Sequence, residues 1–408
     1  AEHKKIIETK GFECIMLDYP LESDKQELRV KGLRFIGECF SSVFTQKRKH
    51  AFFREIADWE SRITSLSPDR VYLDAQCALR TALYHKLGIP VVLVETMPLS
   101  LYDPWVPPFT SGLIPKQTSI SRLGIRLAWE KIVIVRKIRN LFFSMLLCRQ
   151  DYFSLYKRLF LECGFPFEEK IDWRRPFIIG IKESKILSMN PSSLDFPRKY
   201  PPNCQYAPSR VDLMREDPML NQRYARVMEE VCLQKQQRPD IKIIYCFSST
   251  VMGFEKRSKI IFMKIRDICL RNPQFVFILS VGKYHNTSYL LPCPSNLYVF
   301  QQVPQLHLLS YCDLMITSGG MNSIAECIEK EVPMLVCPLS LKSDQLGNSA
   351  RVVYHGLGLR ARIKLDSSRT IEKRIVQLFE NYATFKRNLS MMRTKILAES
   401  TAINTEVI

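Results

Sequence analysis

The sequence predicts an α/β protein built from two sheet-containing domains, on three observations. Short runs that are apolar on both faces alternate with helix-patterned segments along most of the chain, as in a parallel sheet covered on both sides. The chain has 408 residues, more than one compact core usually holds. A proline-rich, polar stretch at 196–218, FPRKYPPNCQYAPSRVDLMREDP, separates one such series from the next and reads as an interdomain connection.

Taken in order, AEHKKIIETKGFECIML patterns as a helix followed by a strand. An α/β domain ordinarily opens with a strand, so the expectation is that the chain begins inside its first βα unit. RVYLDA (70–75) is a short strand ending in a carboxylate, QCALRTALYHKLG (76–88) an amphipathic helix closed by Gly88, and IPVVLVET (89–96) the next buried strand. A further helical segment lies around 220–235. The second series then runs through strands IKIIYCF (241–247), FVFILSV (275–281), LYVFQQV (297–303), LMIT (314–317) and PMLVCP (333–338), with a basic helical tail after 370. The expected division is 1–205 for the first domain, 206–240 for the connection, 241–385 for the second domain and 386–408 for the tail.

Residues 119–162 stand apart. Large apolar residues are interleaved there with Arg122, Arg126, Lys131, Arg136, Lys137, Arg139 and Arg149, and Glu130 is the one acid between 119 and 149. No charge-free run reaches the roughly 18–20 residues of a membrane span. Two readings stand: a helix pair covering the domain core with solvated arginines, or a basic amphipathic surface resting on an anionic membrane.

Composition narrows the class. With 46% hydrophobic and 25% charged residues and no low-complexity tract, the chain is globular and neither disordered nor fibrous. A net charge of +18 fits an anionic membrane or a polyanionic small substrate. Nucleic acid is not expected, because no aromatic-basic motif, zinc-finger spacing or helix-turn-helix accompanies the charge. The 13 cysteines form no CxxC pair and sit in apolar runs, which points to the reducing cytoplasm. The six histidines do not pair with cysteines or carboxylates at ligand spacing, so no metal is expected.

The stretch ITSGGMNSIAECIEKEVPMLVCPLSLKSDQLGN (316–348) carries the chemistry. A buried strand, LMIT, ends in Ser318-Gly319-Gly320 and passes straight into a helix. Ligands of open parallel sheets bind outside the carboxyl ends of the strands, and a helix start behind two glycines offers backbone N–H groups and a partial positive charge to an anion. Glu326, about one turn in, is placed to accept from the two hydroxyls of a ribose. Asp344 and Gln345, after the following strand, reach further hydroxyls.

These residues resemble the nucleotide-sugar signature of the UDP-glycosyltransferase family (glycosyltransferase family 1), nearest to the bacterial macrolide-type enzymes. The resemblance rests on Pro304-Gln305, Gly319-Gly320, Asn322-Ser323, Glu326, Val332-Pro333, Pro338, Asp344-Gln345 and Asn348, within 301–360. It extends more weakly to DFPRKYPPNCQY and YLDAQCALRTALYHKLGIPVV. It implies the GT-B fold, two Rossmann-like domains facing across a cleft, and an inverting, metal-independent transfer of a hexose from a UDP-sugar to a hydroxyl of a lipophilic acceptor. By the same resemblance, backbone near Val303 and the Gln305 side chain meet uracil. Ser318, Gly319, Gly320, Asn322 and Ser323 meet the diphosphate, Glu326 the ribose, and Asp344 and Gln345 the sugar. Thr250 matches the hydroxyl residue after the domain's first strand. The protein is expected to be cytoplasmic, with UDP-sugar as co-substrate and no resident cofactor.

Three departures qualify the match. The family usually carries His before the two glycines, where this chain has Ser318. FSST (247–250) places Ser249 where a glycine is usual. The base histidine of the family belongs to the loop after the fold's first strand, expected upstream of Ala1; Asp74 matches the aspartate that orients it, with a helix cap as the alternative role. His85 is a remote substitute, His3 would approach the cleft only by chance, and His307 and His355 read as structural. These departures keep a catalytically impaired or non-catalytic homologue, binding nucleotide-sugar or lipid, as the alternative function.

Overall fold

A computed structural model describes residues 2–15, 42–176, 179–199, 201–208, 211–213, 222–247, 255–282 and 286–401. Two parallel sheets organise them. The first has four strands in spatial sequence order, β1 (Val71–Asp74), β2 (Val91–Glu95), β3 (Lys185–Ser188) and β4 (Cys204–Tyr206). Val71 pairs with Val91, Val92 with Lys185, and Ile186 with Cys204. Helix Ser42–Leu66 supplies Phe52, Ile56 and Ile63 to its core, and helix Tyr152–Glu162 supplies Leu155, Leu159 and Phe160.

The second sheet has six strands: β5 (Lys242–Phe247), β6 (Phe275–Ser280), β7 (Leu297–Phe300), β8 (Leu314–Thr317), β9 (Met334–Val336) and β10 (Gly358–Arg360). Their order in space is β10-β9-β8-β5-β6-β7, which reverses direction between β8 and β5 as in doubly wound nucleotide-binding sheets. Both faces are covered. Helices Gln222–Gln237, Met321–Glu329 and Tyr382–Thr401 bury Val231, Cys327 and Leu389 on one face, and helices Glu255–Arg271 and Ser368–Glu380 bury Ile265 and Ile375 on the other.

The two halves touch through polar contacts. Arg351 donates from both Nε and Nη2 to Asp195 at 3.0 and 2.6 Å, and Arg198 lies 3.0 Å from the other oxygen of that carboxylate. Burial alone would raise the Asp195 carboxyl, but the two guanidiniums outweigh it and hold it below the usual range. Gly347 donates its N–H to the Phe109 carbonyl at 2.9 Å, and Glu399 accepts from the Ser192 and Ser193 amides at 2.8 Å.

Several expectations are corrected. The stretch 196–218 is not all connection, because Cys204–Tyr206 pairs with β3. The helix expected at 76–88 begins as a 3-10 turn, Ala75–Arg80, before helix Thr81–Lys86. The expected helix near the start is present as Glu2–Thr9, whereas 12–15, where the following strand was expected to begin, are not strand, and the remainder of that expected strand lies outside the described residues. Residues 119–162 form the helix pair, Ser119–Leu146 and Tyr152–Glu162. No helix among the described residues is long and apolar enough to cross a membrane.

Candidate functional site

Strand β8 ends at the point where strand order reverses, and the turn after it is built by its own side chains. Thr317 Oγ1 accepts from the Gly319 amide at 3.2 Å. Gly319 has φ +88°, and a Cβ there would lie 2.7 Å from Val336 Cγ1, so only glycine fits. Gly320 differs: its φ is −67°, and a Cβ would meet nothing within 4 Å. It is the N-cap of helix Met321–Glu329 and supplies no side-chain cap. The first-turn amides are therefore not satisfied by a capping side chain, and the space before them can admit an anion. Ser318 is buried beside this turn, Ser323 is buried in the first helical turn, and Asn322 is exposed.

One turn further along, Glu326 is buried and accepts from Gln305 Nε2 at 2.7 Å. Gln305 in turn accepts from the Tyr245 hydroxyl at 3.1 Å and has its Nε2 3.4 Å from Ser323 Oγ. Burial pushes the Tyr245 phenol well up, so it stays a donor. Val303 is buried just before Pro304, the N-cap of helix Gln305–Leu309. The structure thus brings Val303, Gln305, Ser323 and Glu326 together.

The segment after β9 closes the other side. Gln345 Oε1 accepts from the Leu339 and Ser340 amides, each at 2.8 Å. Its carbonyl end is committed to shaping the turn. Asn348, fully buried, donates from Nδ2 to the Gly319 carbonyl at 2.9 Å and to Asp344 Oδ2 at 2.8 Å. It ties the glycine turn to Asp344, whose carboxyl is raised by burial against the lowering effect of that same Asn348 bond. Thr250 and Ser249 lie outside the described residues.

Asp74 stands at the exposed end of β1 and accepts from the Gln76 amide at 2.7 Å as cap of the 3-10 turn. Beside it lies a buried network the sequence reading missed. Glu95, at the end of β2, accepts from the amide and hydroxyl of Ser100 at 2.9 and 2.6 Å and from Arg175. The signal was available for Glu95, a carboxylate ending an apolar strand as Asp74 does; nothing local marked Arg175. Three of the described histidine side chains are engaged elsewhere: His85 packs edge-on against Phe165, His307 bonds the Tyr224 hydroxyl, and His355 meets the Leu194 and Asp195 carbonyls. Among the described residues no group of His, Cys, Asp or Glu is placed to hold a metal.

Between the halves lies a cavity of about 520 Å³, reached by Thr96 and Met189 from one sheet and by Met321, Asn322, Ile328 and Leu397 from the other. Asn322, in the first turn of the glycine-capped helix, is in its wall.

Residues 287–398 match the profile of the family described as UDP-glucoronosyl and UDP-glucosyl transferase. The chain is 37% identical over 98 residues to NDP-glycosyltransferase YjiC of Bacillus subtilis (strain 168), 24% of each chain. It is 34% identical over 101 residues to the zeaxanthin glucosyltransferase of Pantoea ananas, 24% of this chain and 22% of that one. The chain thus matches about a quarter of the length of these curated relatives. The glycosyltransferase of kitacinnamycin superposes with a TM-score of 0.59 at 16% identity, over 98% of this chain and 86% of that one. The spinosyn rhamnosyltransferase SpnG, solved with thymidine diphosphate, superposes with a TM-score of 0.58 at 16% identity, over 100% and 90%. The fold is that of these glycosyltransferases, GT-B, with two Rossmann-like domains.

Proposed function

We propose that the chain, which belongs to the UDP-glycosyltransferase family, transfers a hexose from a UDP-sugar to a hydroxyl of a lipophilic acceptor, with inversion and without a metal. The observation that carries this reading is the uncapped helix start behind Gly319-Gly320, with open space at Gly320 and the Gln305–Glu326 pair one turn away. The diphosphate would rest on the first-turn amides, the ribose on Glu326, the uracil by Val303 and Gln305, and the sugar toward Asp344 and Gln345. Ser318, Asn322, Ser323 and Thr250 would complete the donor site. In the transfer, the acceptor oxygen attacks the anomeric carbon, the bond from that carbon to the β-phosphate oxygen breaks, and UDP leaves with the electron pair. The proton of the acceptor hydroxyl passes to a base that Asp74 would orient.

The apolar residues Met189, Leu194, Met321 and Leu397 around the interdomain cavity support a lipophilic acceptor. A cytoplasmic protein touching an anionic membrane through 119–162 belongs to the same reading. Along helix Ser119–Leu146 the exposed Ile120, Leu127, Ile134, Ile138, Leu141 and Met145 recur at helical spacing between basic residues, as in helices that lie in a membrane interface.

A second reading, a homologue that binds nucleotide-sugar or lipid without turnover, is favoured by one observation. Asp74 is engaged with the Gln76 amide, and none of the described histidine side chains bonds it. Calorimetric titration with UDP and UDP-glucose, with and without EDTA, tests the donor site that both readings share. Glu326→Ala should weaken UDP by about 1–3 kcal/mol, the usual cost of losing hydrogen bonds to a charged group, and EDTA should change nothing. Equal binding by the variant, or strict dependence on a divalent ion, refutes the donor site. Release of UDP from UDP-glucose in the presence of a hydroxylated lipophile separates the two readings.

A further inference from the structure

A second cavity, of about 660 Å³, has none of the residues assigned to the nucleotide-sugar in its wall and is lined by five cations: Arg257, Arg360, Arg362, Lys364 and Arg374. Among the described residues no acidic side chain is in its wall. Asp366, buried behind it, lies 3.2 Å from Arg374 and 3.5 Å from Arg362. Arg257 and Arg360 spend one N–H each on the Leu339 and Gly112 carbonyls, which are neutral partners. Lys364 is exposed and makes no ion pair among the described residues. Five positive charges thus face the cavity against one buried carboxylate. Their mutual repulsion shows at Arg360, whose guanidinium is lowered by burial and then by the charges of Arg374 and Arg362.

A concentration of positive charge around one cavity favours an anion there, most of all beside the half-buried Arg360 and Arg374 where solvent screens least. The cluster is rich in arginine, whose planar fork matches phosphate oxygens in pairs. The cavity is also amphipathic. Leu341 and Leu365 stand 59% and 72% exposed, and Pro338, Leu346 and Ile363 line its wall.

We propose that this cavity binds the phosphate group of an amphiphilic organic phosphate, with the five cations holding the phosphate and Leu341 and Leu365 flanking an apolar portion. The site is separate from the one assigned to the nucleotide and does not depend on that assignment.

The full chain is first saturated with UDP, so that the glycine turn is not the site being read, and is then titrated with inorganic pyrophosphate and with dioctanoyl phosphatidate below its micelle concentration. The double variant Arg362→Glu/Lys364→Glu changes two exposed side chains and should lower both affinities at least about tenfold. Arg54→Glu/Arg62→Glu, which alters net charge equally at two exposed positions on helix Ser42–Leu66 of the first domain, should lower them far less. If phosphatidate binds more tightly than pyrophosphate and Leu365→Gln removes the difference, the ligand is a lipid phosphate. If the two bind alike and Leu365→Gln changes neither, no apolar portion is held and an amphiphilic ligand is ruled out. No binding by the parent, or equal losses in the two double variants, overturns the proposal. Glu326→Ala serves as the separating control: it should weaken UDP, while at saturating UDP its titrations with pyrophosphate and phosphatidate keep the same dependence on Arg362 and Lys364.

Discussion

Placing the same methyl group on two adjacent glycines should separate folding from binding. At Gly319, alanine must adopt φ +88° and push its Cβ to 2.7 Å from Val336 Cγ1. The left-handed backbone costs about 1–3 kcal/mol, and crowding a fully packed strand side chain adds roughly 1–3 kcal/mol, so the sum is about 2–6 kcal/mol. Spread over a domain of this size, that lowers Tm by roughly 4–24 °C. At Gly320 the backbone is already one that alanine adopts and the methyl meets nothing within 4 Å, so stability should change by less than about 0.5 kcal/mol. Binding reverses the order of effects. Under the proposed function the Gly320 methyl enters the space the diphosphate needs, and losing charge-assisted bonds to first-turn amides weakens UDP by about 1.5–3 kcal/mol, roughly 10- to 150-fold. Thermal unfolding and UDP titration of both variants decide it. A Gly320→Ala protein that binds UDP as tightly as its parent would remove the helix start from the donor site, and an unperturbed Gly319→Ala would contradict the turn geometry.

Ser318→His should tighten UDP most at low salt and mildly acidic pH, where a protonated imidazole faces the diphosphate; unchanged or weaker binding would mean the pocket is built around the hydroxyl. Asp195→Ala leaves Arg351 and Arg198 buried without their carboxylate, which should cost about 3–5 kcal/mol in unfolding. Because the folded Asp195 carboxyl is lowered, its contribution is present above its unfolded pKa and is lost as pH falls through the lower folded value. The deficit of the variant should therefore shrink in acid, and a deficit independent of pH would contradict the ion-pair account.

Most of the second sheet was legible because its longer strands carry their own signal, whereas its three-residue edge strand Gly358–Arg360 was not. All six residues of Phe275–Ser280 are buried, as are all four of Leu314–Thr317, and a run apolar on both faces has few alternatives. The strands that went unread are two to four residues long. Lys185–Ser188 alternates exposed and buried positions, and Cys204–Tyr206 sits among prolines; their neighbours in the sheet make them strands, not their own composition. The same holds at the site. Gly319, Gly320, Glu326 and Asn348 could be singled out from their spacing around β8 and β9. That Gln345 turns its carbonyl back onto Leu339 and Ser340 within its own connection depends on how that turn folds, and that Gln305 and Glu326 bond one another depends on two helices meeting; composition alone encodes neither.

The Gln305–Glu326 bond has its own consequence for how the site would fill. In the free protein Gln305 Nε2 donates to the buried Glu326 carboxylate at 2.7 Å and Gln305 Oε1 is held by Tyr245. Under the proposed function, ribose hydroxyls would take over the donor position at Glu326 while the Gln305 carboxamide turns to the base, so one set of bonds is exchanged for another. An exchange contributes less to affinity than a bond formed from nothing, because the free state is already satisfied. Gln305→Ala should therefore lower the stability of the free protein by about 1.5–3 kcal/mol, through the loss of a bond to a buried charge, yet weaken UDP by less than about tenfold, or 1.4 kcal/mol. Glu326→Ala should weaken UDP more than that. If instead Gln305→Ala leaves Tm untouched and costs UDP more than about 100-fold, the two side chains are not satisfying each other before the nucleotide arrives, and the resting geometry derived for this corner of the site is wrong.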